Sequence, residues 1–130
     1  MMLGKNINGY VLTELLGRGG MGEVYKAENK NLGRTAAIKF LYDKSHAARF
    51  QNEAYIQSSI KHRNIASLYE YTIYDNTPCI IMEYVDGFAL DKILTQKHRL
   101  SSNEATHVFA QIIDGIAVLH KKNIQHRVCC

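Results

Sequence analysis

The sequence is short of several residue types, and each shortage excludes a class of protein. Its 130 residues include one proline and no tryptophan, and its nine glycines follow no fixed repeat. That composition differs from those of fibrous and disordered chains. Hydrophobic residues make up 46% of the chain and charged residues 22%, which is typical of globular proteins. The length suits one domain or a piece of one.

Cysteines and long apolar runs are also scarce. The three cysteines are Cys79, Cys129 and Cys130. An odd number with two adjacent members cannot form a disulfide framework of the secreted type, so we expect reduced thiols. The first residues lack the apolar run of a secretory signal, and no stretch reaches the roughly eighteen apolar residues of a membrane span. We therefore expect a cytoplasmic protein with no membrane partner.

The chain carries a net charge of +4, and its isoelectric point is near 9.0. Its basic residues are spread thinly along the sequence and do not alternate with aromatic residues, as they do in nucleic-acid platforms. We expect a solvated basic surface and no nucleic-acid partner.

Alternating apolar residues predict three strands early in the chain, over residues 10–16, 23–28 and 34–41. A glycine-rich turn joins the first two strands. The sequence NKNLG at 29–33 has turn chemistry and joins the second strand to the third. Together these segments predict an antiparallel meander.

The spacing of apolar residues then changes to that of a helix, which we predict over residues 45–61. Four residues share one stripe of this helix: Phe50, Ala54, Gln57 and Ile60. Ser45 is a candidate N-cap, and Glu53 lies beside the apolar stripe. Two more strands follow, over residues 66–74 and 79–85, with a turn at 75–78 between them. The pattern predicts five strands and one helix by residue 85.

Two helices are predicted after the Asp86-Gly87 break. The first is short, over residues 90–96. The second opens at SSNE, residues 101–104, where Ser101 or Ser102 caps the helix and Glu104 lies in its first turn. Apolar residues cover nearly all of its circumference up to about residue 120, which is typical of a helix in a core.

Gly17, Gly19 and Gly22 form a Gly-x-Gly-x-x-Gly pattern, which alone could be a dinucleotide fingerprint, a kinase loop or a flexible turn. The dinucleotide fold requires a helix after the glycines and an acidic residue about 20 positions on. Here a strand follows, and the residue at that distance is Lys39. A Walker loop is excluded because Glu23 stands where that motif requires lysine.

Several segments in order resemble the eukaryotic-type serine/threonine protein kinases, especially their bacterial members. These segments are GRGGMGEVY, AAIK, the glutamate in RFQNEA, KHRNI, IIMEYVDG and LHKKNIQHR. The resemblance implies an α+β fold. Residues 1–85 would form the small lobe, with a five-stranded antiparallel sheet, one helix and the hinge. Residues 86–130 would be the incomplete start of the large lobe, with its first two helices.

The resemblance also implies a site that binds ATP through ten residues, namely Gly17, Gly19, Gly22, Val24, Ala37, Lys39, Glu53, Met82, Glu83 and Val85. The glycines let the backbone approach the triphosphate, and Lys39 supplies a positive charge. Glu53 is the expected ion-pair partner of Lys39. Val24 and Ala37 would cover the adenine, with Met82 as the gatekeeper. The main chain of Glu83 to Val85 would provide the hydrogen bonds to the base.

The catalytic loop departs from the family pattern. His126 and Arg127 match the family's His-Arg-Asp, but Val128 stands in place of the aspartate. Valine has neither a charge nor a proton acceptor for the substrate hydroxyl. Magnesium is expected for the family, yet its ligands and the activation segment have no counterpart in these residues, so we expect no metal site. The expectation is weak ATP binding and a chain that is catalytically inactive alone.

Three interpretations remain. In the first, the chain is a truncated kinase, for which a change of reading frame after Arg127 is one hypothesis. In the second, it is a pseudokinase-like interaction module. In the third, it is a nucleotide-binding module without catalysis. In the family, large-lobe helices would cover the apolar helix at residues 103–120, so we expect self-association or a protein partner through that helix.

Overall fold

The computed structural model of the chain describes residues 2–20, 22–87 and 101–121. The fold divides into two compact units. The first contains Met1–Lys61 and Ala66–Tyr84, and the second contains His62–Ile65 and Val85–Cys130. The helix predicted over residues 90–96 lies outside the described residues.

The first unit is built on one antiparallel sheet with the strand order β1-β2-β3-β4-β6-β5. The strands are β1 (Asn6–Ile7), β2 (Tyr10–Arg18), β3 (Gly22–Asn29), β4 (Arg34–Leu41), β5 (Leu68–Tyr74) and β6 (Thr77–Glu83). The predicted meander is confirmed as β2, β3 and β4. The segment after the glycines is a strand, as expected.

The sheet has one strand more than predicted. Asn6 pairs with Val11 and Ile7 with Tyr10 around a turn at Asn8-Gly9. Both turn residues have positive φ, 53° and 95°, as a tight hairpin turn requires. An Asn-Gly dipeptide between apolar residues is the sequence signal for such a hairpin. β1 was missed because only two of its residues form the ladder.

A second tight turn explains why β6 begins at Thr77, two residues earlier than predicted. Asp75 and Asn76 have φ of 49° and 62°, so these two residues alone connect β5 to β6. Thr77 and Pro78, which we predicted in the turn, therefore belong to the strand. β6 ends at Glu83, two residues earlier than expected.

The two faces of the sheet are covered differently. Side chains alternate along β4, so Ile38 and Phe40 lie on one face and Lys39 and Leu41 on the other. The first face holds the larger buried cluster, which comprises Ile7, Tyr10, Leu12, Tyr25, Ala27, Ala36, Ile38, Phe40, Cys79 and Ile81. Burial raises the pKa of the Cys79 thiol to about 11. On the second face, Leu41 packs with helix residues, so Lys39 shares the face that the helix covers.

That helix is α1 (Ala47–Ser58), and a 3-10 turn at Lys44–His46 precedes it. Phe50 and Ala54 are buried on this helix, as predicted, and Gln57 is half-buried. The helix ends at Ser58, so Ile60 is buried beyond it and not on its stripe. The predicted cap at Ser45 is wrong, because Asp43 takes that role for the 3-10 turn. Its Oδ1 accepts from the Ser45 amide at 3.1 Å and from the Ser45 hydroxyl at 2.6 Å. The carboxylate is the stronger acceptor.

The second unit contains α2 (Ser102–Lys121). The Glu104 amide donates to the Ser101 hydroxyl at 3.1 Å, and the Ser101 amide donates to the Glu104 carboxylate at 3.0 Å. This reciprocal pair is a capping box and confirms the predicted helix start. Among the described residues, no helix has the combination of length and hydropathy that a membrane span needs.

The prediction that α2 lies in a core is wrong for part of its circumference. Its packing against His62–Ile65 includes a hydrogen bond from the Asn64 side chain to the Gln111 carbonyl oxygen at 2.9 Å. Phe109 and Ile113, in contrast, are each 63% exposed. Periodicity alone could not predict this, because an all-round apolar pattern does not indicate which neighbours cover each side.

Gly22 is the glycine whose replacement the sheet tolerates least. A Cβ built on Gly22 would collide with the carbonyl oxygen of Phe40 and lie 2.9 Å from its carbonyl carbon. A Cβ on Gly20 would meet nothing within 4 Å. We predict that Gly22→Ala lowers the free energy of unfolding by about 1–3 kcal/mol through overpacking. Gly20→Ala should change it by less than about 0.5 kcal/mol. Urea denaturation of both variants measures this difference, and equal effects would contradict it.

Candidate functional site

A cleft of about 370 Å³ lies between the glycine-rich turn and β4. We call it the hairpin cleft, and it is lined by Gly17, Arg18, Gly19, Gly20, Gly22, Val24 and Lys39. The three predicted glycines, Val24 and Lys39 are therefore brought together at one place. They come from the end of β2, the turn that follows it, the start of β3 and the middle of β4.

The paired end of β2 and start of β3 form the roof of the cleft. Gly17 pairs with Val24 and Arg18 pairs with Glu23, and the Gly19 amide donates to the Gly22 carbonyl oxygen at 2.9 Å. A Cβ on Gly17 or Gly19 would meet no atom within 4 Å. The space that side chains would fill is open, so a ligand can approach the main chain of this hairpin closely.

Lys39 and Arg18 are the positively charged residues that line the cleft, and Arg18 is paired with Glu23. Lys39 pairs with Val24 on β3 and with Ile80 on β6, and its side chain is half-buried. Within the part of the chain that the structure describes, Lys39 forms no hydrogen bond or ion pair. A cation in this position favours an anionic ligand, because burial without a counter-charge costs free energy.

Glu53 does not form the ion pair that we predicted. Its carboxylate lies 3.1 Å from Arg49 Nε, one helical turn earlier, and its side chain is 58% exposed. The prediction placed Glu53 opposite Lys39 and is wrong for this structure. A local i,i+4 pair forms without bringing the helix and the strand together, so it needs no tertiary contact.

Three of the residues predicted to contact the adenine, Ala37, Met82 and Glu83, lie in the first unit. Ala37 and Met82 are cross-strand partners on β4 and β6 and share the face of the sheet that carries Lys39. The Glu83 amide donates to the Ser67 carbonyl oxygen at 2.8 Å, and its carboxylate accepts from the Ser67 amide at 3.0 Å. Glu83 could therefore offer a base only its carbonyl oxygen. Val85 is exposed and belongs to the second unit.

Sequence reasoning missed a group of polar contacts around Glu23, which it had used only to exclude a Walker loop. Glu23 Oε2 accepts from Arg18 Nε at 2.7 Å, and its Oε1 accepts from the hydroxyls of Tyr42 and Tyr25 at 2.7 and 3.0 Å. We call these four residues the Glu23 cluster. The alternation of Glu23 and Tyr25 along one strand was the available signal.

The Glu23 cluster changes the acidity of its members. Hydrogen bonds from Tyr42 and then Arg18 lower the pKa of the Glu23 carboxyl below its usual value. Burial, followed by the hydrogen bond to Glu23, raises the pKa of the Tyr42 hydroxyl well above its usual value. Both shifts widen the pH range over which the carboxylate is ionised and the phenol is neutral, and these are the protonation states that form the hydrogen bonds.

The remnants of the catalytic loop, His126 and Arg127, and the substituted Val128 lie outside the described residues. Among residues 2–20, 22–87 and 101–121, no group of three histidine, cysteine or acidic side chains is arranged to hold a metal ion.

Comparisons with known proteins agree with this geometry. The family profile of the protein kinase domain matches residues 10–127. The serine/threonine-protein kinase PrkC of Bacillus subtilis is 39% identical over 98% of this chain, and the serine/threonine-protein kinase pkn2 of Myxococcus xanthus is 36% identical over 86% of it.

The chain covers only 20% of the PrkC sequence and 14% of the pkn2 sequence. The crystal structure of the Mycobacterium tuberculosis PknI kinase domain aligns over 99% of this chain and 54% of its own chain, with a TM-score of 0.84 and 24% identity. That likeness establishes the fold. The chain belongs to the protein kinase family and covers part of a kinase domain of the bacterial serine/threonine type.

Proposed function

We propose that this chain is the nucleotide-binding part of a serine/threonine protein kinase and that the hairpin cleft holds the phosphates of ATP. The observation that carries the proposal is the uncompensated Lys39 charge beneath a bare glycine backbone. The amides of the hairpin would donate to phosphate oxygens, and Lys39 would neutralise part of their charge.

The size of the cleft supports this assignment. At about 370 Å³, it is at the small end of ligand pockets, which range from about 300 to 1,000 Å³. Such a space suits the phosphate tail. The adenine would contact Ala37, Met82 and the carbonyl oxygen of Glu83, outside the residues that line the cleft.

The affinity for ATP should be weak. In this proposal Lys39 contacts the phosphates, and one charge-assisted hydrogen bond contributes about 1.5–3 kcal/mol. A dissociation constant on the order of 1 mM corresponds to only about 4 kcal/mol. Kinases use magnesium with ATP, but the described residues do not fit a magnesium site, and we derive no step that depends on the ion.

Replacing the charge of Lys39 tests the proposal. We predict that ATP at ten times its dissociation constant stabilises the chain by about 1.4 kcal/mol, which raises the melting temperature by on the order of 5 °C. Lys39→Met should weaken binding about 10- to 100-fold, because the charge-assisted hydrogen bond is lost. A thermal-shift titration with ATP and magnesium measures both quantities.

Lys30→Met is the matched control, because Lys30 is exposed in the turn between β3 and β4. It should bind ATP like the unmodified chain. The proposal is wrong if the unmodified chain shows no saturable shift, or if the two lysine variants bind equally well.

We further propose that these 130 residues transfer no phosphate by themselves, because Val128 stands where the family has its proton-accepting aspartate. Positioning and charge stabilisation provide most of the rate in phosphoryl transfer, and valine contributes to neither.

The prediction is that labelled ATP gives no detectable incorporation into a basic acceptor protein. Lys39→Met, purified in parallel, reports any contaminating kinase, since equal labelling by both preparations would point to a contaminant. Robust metal-dependent labelling that disappears in Lys39→Met would overturn this part of the proposal.

A second candidate function is association through α2, and the exposure of its apolar residues supports it. Phe109, Ile113 and Ile116 are 63%, 63% and 43% exposed. Their spacing of i, i+4 and i+7 places them on one stripe. We propose that a second copy of this chain covers the stripe, because contiguous exposed apolar surface favours association.

Light scattering at increasing concentration tests self-association. We predict that the unmodified chain forms dimers or larger species and that Ile113→Glu remains monomeric, because a carboxylate would have to be desolvated at the interface. Gln111→Glu adds the same charge on the opposite side of α2 and should associate like the unmodified chain. A monodisperse monomer at high concentration would exclude this proposal.

A further inference from the structure

The outer face of the glycine-rich turn carries an arrangement that the proposed function does not use. Cross-strand partners share one face of a sheet, and Glu23 pairs with Arg18 on β2 and with Phe40 on β4. Lys39 lies on the opposite face. The Glu23 carboxylate and its two tyrosine partners therefore lie behind the hairpin, and the cleft is in front of it, where Arg18 also forms part of the lining.

The cluster is anchored on a buried ring. Phe40 is fully buried. The Tyr42 ring stacks on it with centroids 6.4 Å apart, and the Tyr25 ring meets it edge-on at 5.8 Å. Both tyrosine hydroxyls then donate to the same oxygen of Glu23. Through these contacts the carboxylate is tied to the largest core cluster.

Glu23 connects that anchor to the other strand of the hairpin. Its second oxygen accepts from Arg18, the last residue of β2, and the Glu23 side chain is only 12% exposed. One carboxylate thus contacts groups from β2, from β3 and from the residue that follows β4. Removing it would separate the tip of the hairpin from the core and leave Arg18, which also lines the cleft, without its carboxylate partner.

We propose that Glu23 is a positioning residue that holds the glycine-rich turn at a fixed height above Lys39 before any nucleotide is bound. Its effect on ATP rests on the proposed function, whereas its effect on the free chain does not. A hairpin that is already ordered loses less conformational freedom on binding, so the affinity for phosphates rises.

The proposal has a defined pH dependence. Among the residues that the structure describes, three groups face the Glu23 carboxylate: Arg18 from β2, Tyr25 from the same strand and Tyr42 from beyond β4. Arginine and tyrosine keep their protonation states in acid. Because the pKa of Glu23 is lowered, the ordering should be complete above the usual carboxyl pKa and lost as the pH falls through the lowered value.

Hydrogen exchange of the nucleotide-free chain tests the positioning role directly. We expect Glu23→Gln to increase the exchange rate of the amides at residues 17–24 about tenfold at neutral pH, with little change elsewhere in the sheet. In the unmodified chain the same amides should lose protection in acid, after correction for intrinsic exchange, whereas Glu23→Gln should show no such step.

Glu28→Gln is the control for the loss of one carboxylate from β3, because Glu28 is exposed near the other end of that strand. It should exchange like the unmodified chain. Unchanged protection in Glu23→Gln, or an increase spread evenly over the whole sheet, would overturn the proposal.

A double-mutant cycle tests whether Glu23 transmits the effect to binding. Tyr25 and Tyr42 both donate to Glu23 Oε1, and neither lines the hairpin cleft. Tyr25→Phe and Tyr42→Phe should each weaken ATP binding about three- to tenfold, and the double variant should bind no more weakly than the weaker single variant. Additive losses would refute transmission through Glu23. If the unmodified chain binds no ATP, the proposed function fails, and the exchange experiment still decides the positioning role.

Discussion

The close approach of β3 to β4 at Gly22 is the constraint on which both faces of the hairpin depend. A side chain at this position would collide with the Phe40 carbonyl, so only glycine allows the ladder to continue to its end. The resulting register places Val24 beside Lys39 and Glu23 beside Phe40. A slip of one residue would exchange the faces, moving the glutamate toward the cleft.

The missing Lys39–Glu53 pair matters less than its place in the family would suggest. The exposed Arg49–Glu53 contact contributes only about 0.3–0.5 kcal/mol, the usual value for an i,i+4 pair. So small a free energy does not fix the carboxylate on one partner. Lys39 is meanwhile held by its strand, between β3 and β6. The cation of the site is therefore fixed by the sheet, and its carboxylate partner is held only weakly.

The sequence was informative wherever a period or a spacing determines structure. Alternation predicted β4 from Arg34 to Leu41, and helical spacing predicted the burial of Phe50 and Ala54. It was less informative where two neighbours compete for one group. Asp43 replaced Ser45 as the cap, and Arg49 replaced Lys39 as the partner of Glu53. Periodicity indicates which face a side chain occupies, but the choice of partner depends on side-chain reach and geometry.

The same distinction explains why half of the hairpin could be predicted and half could not. The glycines of the cleft carry a recognisable spacing, whereas the partners of Glu23 in the cluster are 5, 2 and 19 positions away from it. The Glu23 cluster nevertheless compensates for the conformational entropy that a glycine-rich turn loses when it becomes ordered. Ordering one residue costs about 1–2 kcal/mol, and glycine loses the most freedom. A turn with four glycines between residues 17 and 22 can approach phosphates closely, but it is poorly ordered by itself. Contacts on its outer face can provide that order, because they leave the inner face bare for the ligand.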